Sequence, residues 1–181
     1  MNSLLSRWSV IQPWLTVAVR LGLAAVWIIA GGNKVGDLDA SARAVHAYDL
    51  MPFAAAQILG AVLPFLEIAL GLLLIVGLAT RLVGGVSAVV LVLFVGGIIS
   101  AWARGLAIDC GCFGGGGALA TGQEPEYLGR LLEDTGFLAM AAFLIVFPRG
   151  WLALDNWLSD DPQLPRRRVA STETETEESA R

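Results

Sequence analysis

The residues best suited to chemistry are Cys110 and Cys112, the only two cysteines in 181 residues. They stand in the run Asp109-Cys110-Gly111-Cys112-Phe113-Gly114, which continues into Gly115, Gly116 and Gly117. Alpha carbons two residues apart lie about 5.5–7 Å from each other. That range overlaps the disulfide window of about 4.4–6.8 Å only where the chain bends. Gly111 supplies the bend. The ring so formed is tight, and strained or exposed disulfides are the more oxidising ones, which suits a pair that passes oxidising equivalents on rather than a structural staple. Two other readings stand beside this one: a pair of buried cysteines acting as small hydrophobes, and a pair of thiolates holding a soft ion such as Cu(I). A closed zinc site wants about four ligands. With His46 the single histidine, Asp109 or other carboxylates would have to complete it, so no resident metal is assigned.

Four further residues carry charge or protons where they matter. Arg20 and Glu67 fall inside long apolar stretches, where an ionisable group is costly unless it is paired or faces a polar cavity. Helical rise brings their depths near enough for an intramembrane ion pair that holds the helices together, with a proton or quinone role for Glu67 as the alternative. His46 could carry a proton for thiol exchange, although a lone surface histidine is more often merely solvated. Arg130 lies just beyond the glycine-rich segment. A cation there, with the positive N-terminus of a helix, would lower a cysteine pKa from about 8.5 and raise the thiolate fraction. Its other employment is a local pair with Asp134 one helical turn on, worth about 0.2–0.5 kcal/mol.

These residues must be positioned by membrane helices. The chain is 56% hydrophobic and 15% charged, where a soluble domain is about 25% charged. Apolar stretches predict spans at about 14–32, 54–78, 82–102 and 127–147, each near the ~20 residues needed to cross a bilayer. The first reads as a retained helix rather than a cleaved leader, whose apolar core would be about 7–15 residues. Only Ala79, Thr80 and Arg81 separate spans two and three, which predicts a tight antiparallel pair. Between spans one and two, Leu38, Ala42, Val45 and Tyr48 recur at helical spacing, with Asp39 or Ser41 as the cap of an interfacial helix. After Pro148, Trp151, Leu152, Leu154, Trp157 and Leu158 predict a short interfacial helix. The fold class is thus an all-α integral membrane protein: a four-helix membrane domain over residues 1–158, then a disordered polar cytoplasmic tail over 159–181.

An even number of spans puts both termini on one side. That side holds Arg7, Arg81, Arg149 and Arg166 to Arg168, against Lys34, Arg43, Arg104 and Arg130 on the other. The positive-inside rule therefore favours cytoplasmic termini in the cell membrane. The Cys110 and Cys112 loop then faces an extracytoplasmic compartment where disulfides persist. The net charge is −4 and the basic residues are dispersed, which argues against nucleic acid and leaves the lipid bilayer as the first partner.

The chain resembles the MauE/DoxX family of redox-associated four-helix membrane proteins from Arg20 to Phe147. The resemblance is carried by Arg20, Gly31 and Lys34, by Ala47-Tyr48-Asp49-Leu50-Met51-Pro52, by Pro64 and Glu67, and above all by Asp109 to Gly114. It implies a membrane thiol–disulfide redox protein in which Cys110 and Cys112 exchange electrons with an extracytoplasmic thioredoxin-like partner, supporting disulfide formation or maintenance. The MauE branch is tied to maturation of methylamine dehydrogenase, a client to which no residue here points. One cysteine pair cannot run an internal relay, so either a quinone oxidises it directly or a partner protein carries the electrons. A non-catalytic subunit of a redox complex and a copper-binding or transport protein are the alternatives.

Overall fold

The computed structural model describes residues 2–109, 116–119 and 125–148, with side chains from residue 11 onward. Among these residues five helices follow one another: α1 Asn2–Val35, α2 Leu38–Ala47, α3 Phe53–Val76, α4 Thr80–Ala103 and α5 Tyr127–Val146. Two short strands, β1 Ile108–Asp109 and β2 Gly117–Ala118, lie between α4 and α5. Cys110, Cys112, the helix expected after Pro148 and the polar tail lie outside the described residues.

Among the described residues, three helices are long and apolar enough to cross a membrane: Ile11–Val35, Phe53–Val76 and Thr80–Ala103. At 20 residues α5 has the length, but its first half carries Arg130, Glu133 and Asp134, so the fourth span expected from the sequence does not join them on composition. Large apolar side chains face outward along the helices, among them Ile58, Leu82, Leu93, Leu132 and Val146. Water would penalise such a surface and lipid does not. This is a multi-pass membrane protein.

The first helix is longer than its apolar core. It passes through Gly31 and Gly32 and stops only before Gly36, because Gly31 serves packing rather than termination. A β-carbon at Gly31 would stand 2.6 Å from the Pro64 carbonyl oxygen, and one at Gly71 would stand 2.7 Å from Ile28. These two positions let α1 and α3 approach backbone to backbone, the device that membrane helices use in place of a hydrophobic driving force. The same logic joins α4 to α5, where Gly84 sits against Leu144 and Ala141. Helix α1 therefore packs chiefly on α3, and α4 chiefly on α5. The tight α3–α4 pair expected from their short link is not formed. Gly77, with φ of 71°, closes α3 by donating its amide to Leu73, and the two helices then diverge. Small residues, not loop length, choose the neighbours.

Trp27, 1% exposed, ties the two pairs together by donating its indole N–H to Ser87 Oγ at 3.0 Å. Around it Leu23, Leu70, Leu74, Val83, Leu91 and Leu144 form the core. Helix α2 folds back onto the N-terminal half of α3, where Gly60 leaves room for the backbone of Ala42. Its cap is Asp37, which accepts from the Ala40 amide at 2.8 Å, rather than Asp39 or Ser41. Ser41 instead faces inward and donates to the Asp37 carbonyl at 3.3 Å.

Candidate functional site

The segment that carries the cysteines is held at its base. Ile108 pairs with Ala118 and Asp109 with Gly117 in antiparallel register, so the chain leaves and re-enters a small β-stem on either side of residues 110–116. Leu119 extends the stem by donating its amide to the Ala107 carbonyl at 2.9 Å. Tyr127, at the first turn of α5 and buried, fixes the stem to the bundle. Its hydroxyl donates to the Leu106 carbonyl and accepts from the Ile108 amide, and its ring stacks on Trp102. Arg104, at the end of α4, reaches back to the carbonyls of Tyr48 and Asp49 beyond α2. The stem, the α2 loop and the start of α5 thus share one end of the molecule. The Ala79–Thr80 turn and Phe147 lie at the other, the latter accepting from Thr16 Oγ1 at 3.3 Å.

Inside the bundle, Glu67 belongs to Lys34. The ammonium donates to Glu67 Oε1 at 2.6 Å, with Lys34 6% and Glu67 0% exposed. The Arg20–Glu67 pair expected from the sequence is corrected by the α1–α3 register. Glu67 packs against Gly31, and Arg20 lies eleven residues further down α1, about 16 Å by helical rise. Counting from the contact of Gly71 with Ala24 and Ile28 sets Arg20 level with the C-terminal end of α3, where the helix dipole favours a cation. Arg20 itself is 1% exposed.

His46 and Arg130 occupy the same end as the stem. His46 is exposed on α2 and meets the Phe53 ring edge-on, with centroids 5.2 Å apart. Arg130 binds Glu133 one turn along α5 at 3.1 Å, while Asp134 turns inward and is buried. Lys34, Tyr127 and Arg104 were not singled out as site residues by sequence reasoning. The signal for Lys34 was present: it stands almost one turn after Gly31, on the face that Gly31 presses against α3.

This architecture defines a small helical membrane protein with a two-stranded stem at one end and a buried ion pair in the bundle near it. The family model for Methylamine utilisation protein MauE matches residues 12–147, and the chain belongs to that family. No curated protein and no solved structure gives a significant match.

Proposed function

We propose that the protein is a membrane thiol–disulfide redox protein that exchanges electrons through Cys110 and Cys112 with a thioredoxin-like partner outside the cytoplasm, within the redox processes of methylamine utilisation. The observation that carries this reading is the β-stem. The residues on either side of the two cysteines meet in a stem at one end of the bundle, pinned by Tyr127, which suits presentation of the pair to a docking protein. In the reduced form, the thiolate of one cysteine attacks a sulfur of the partner's disulfide and displaces the partner's second sulfur as a thiolate. The other cysteine then attacks the mixed disulfide, closing Cys110 to Cys112 and releasing the partner as a dithiol. Run from the oxidised form, the same two exchanges oxidise the partner. Either way two electrons and two protons pass between the pairs.

In this reading α5 is the fourth span, its charged first turns at the outer interface and its apolar remainder packed along α4. Twenty residues cover about 30 Å, and exposed Leu132 and Val146 suit lipid. Both termini are then cytoplasmic. Arg130 favours the thiolate, and His46 lies on the face available to a partner.

The test is acid trapping of thiols in membranes, followed by a mass-tag alkylating reagent before and after reduction. A mobility shift that appears only after reduction is expected. A Cys112→Ser variant should capture the partner as a mixed disulfide. Permanently free thiols, or normal client oxidation when both cysteines are serine, would overturn the reading; bound copper in the purified protein would replace it with metal handling.

A further inference from the structure

Where α3 and α4 diverge, they leave a cavity of ≈ 360 Å³ closed at one side by α2. Its walls are almost wholly apolar, with Leu63 and Leu66 from α3, Phe94 and Gly97 from α4, and Tyr48 from the loop after α2. The charged group on its lining is Lys34. Such a volume lies within the ~300–1,000 Å³ of small-molecule sites, which combine apolar walls with a few placed polar groups. Leu59 and Leu93, both exposed at its rim, open it toward the lipid-facing surface.

We propose that this cavity binds the ring of a lipophilic quinone, with a ring carbonyl accepting a hydrogen bond from Lys34. The choice of ligand follows from charge and from unused hydrogen-bonding capacity. An ammonium has three donors. Among the described residues one of them is committed, to Glu67 Oε1, while the Phe94 ring centroid lies 5.7 Å away across the cavity wall. Glu67 Oε2 is buried with no hydrogen-bond partner among the described residues. Lys34 and Glu67 already balance each other, so a fatty-acid carboxylate would add an uncompensated negative charge to a site of low dielectric, at high cost. A neutral carbonyl uses the spare N–H without that cost. Phe94 and Tyr48 supply aromatic faces for a flat ring. Glu67 here anchors the ammonium and is a positioning residue.

The assignment of a quinone, rather than another neutral carbonyl compound, rests on the thiol–disulfide reading. Closing a disulfide from two thiols releases two electrons and two protons, and a quinone takes up both pairs in becoming a hydroquinone. The cavity lies at the end of the bundle that carries the stem: Gly97 precedes the α4 terminus at Ala103 by less than two turns, and Asp109 follows shortly after.

The experiment is photolabelling of the full-length protein in nanodiscs with an azido-benzoquinone carrying a short alkyl tail. Labelled peptides are mapped, and decyl-ubiquinone or oleate is added as competitor. Label is expected on the α3 and α4 peptides, saturable and displaced by decyl-ubiquinone but not by equal oleate. Leu63→Phe, which fills the cavity and leaves the ion pair in place, should reduce labelling at least tenfold. Lys34→Met combined with Glu67→Leu, which removes the donor without stranding a charge, should do the same. Labelling unchanged in both variants, or displaced equally by oleate, would overturn the site. Cys110→Ser with Cys112→Ser should label as the parent does, which separates the two proposals. A disulfide trapped in membranes without cavity labelling removes only the quinone site, and cavity labelling with permanently free thiols supports the ring site while removing the thiol reading.

Discussion

Removing the ammonium of Lys34 strands a carboxylate. Glu67 is 0% exposed, and Lys34 is its hydrogen-bond partner at 2.6 Å, so Lys34→Met leaves an uncompensated charge buried against Gly31. Breaking one half of a buried pair costs about 3–5 kcal/mol, a large share of a total stability of about 5–15 kcal/mol. Glu67→Leu strands the ammonium and should cost a similar amount. The two together should recover to within about 1 kcal/mol of the parent, because well-packed apolar replacements of buried pairs are often neutral. A coupling energy of about 3 kcal/mol or more follows. Reversible unfolding in mixed micelles can measure it, with the fluorescence of Trp27, buried and bonded to Ser87, as reporter. Arg20→Met paired with Glu67→Leu is the control. Some 16 Å of helical rise separates these residues, so their effects should add within about 0.5 kcal/mol. Additivity for Lys34 with Glu67, or strong coupling for Arg20 with Glu67, would refute the register on which the argument stands.

Tyr127→Phe deletes the hydroxyl that joins Leu106 to Ile108; the local cost should be about 1–3 kcal/mol, read as faster hydrogen exchange at the Ile108 and Leu119 amides, and unchanged exchange would sink the pinning role. Arg130→Ala should slow alkylation of the reduced cysteines near pH 7, by at most about threefold since the side chain is a third exposed and shared with Glu133, and should move the pH midpoint upward, because losing a cation disfavours the thiolate. An identical alkylation profile would leave Arg130 with its local pair alone. Cys110 should react with a membrane-impermeant thiol reagent in intact, reduced cells, and reaction only after lysis would invert the orientation.

Helix positions were legible in the sequence to a useful degree. The α3 and α4 limits fall within two residues of the expected spans, because apolar runs of that length leave few other choices. The amphipathic spacing after Asp37 likewise foretold α2. Partners were less legible. Arg20 and Glu67 were matched by estimated depth, a measure that uncertain helix ends blur by several residues; the true register is set by Gly31 and Gly71, whose role appears only once backbones are seen to touch. The short α3–α4 link implied packing that the helices do not adopt, since Gly84 draws α4 to α5. Tyr127 looked like the start of a helix, and its hydroxyl finds the stem only through a fold that returns residue 106 to residue 127.

The buried pair also changes the charge balance that orients the molecule. Lys34 was counted on the outer side, yet it is buried and matched by Glu67, so it contributes no free charge to the outer surface. Arg43 there is offset in part by Asp37 at 4.0 Å, and Arg130 by Glu133. Arg20, by contrast, stands level with the Ala79–Thr80 end, on the side of Arg81. The positive-inside rule counts Lys and Arg near span ends rather than net charge, so the acidic neighbours do not cancel the outer arginines. Lys34, in the last turn of α1, is still counted at the stem end, whereas Arg20, level with the C-terminal end of α3, joins the count at the opposite end. The register that assigns Glu67 to Lys34 thus adds one arginine to the side proposed as cytoplasmic, and labelling of Cys110 from outside intact cells is the measurement that decides the orientation.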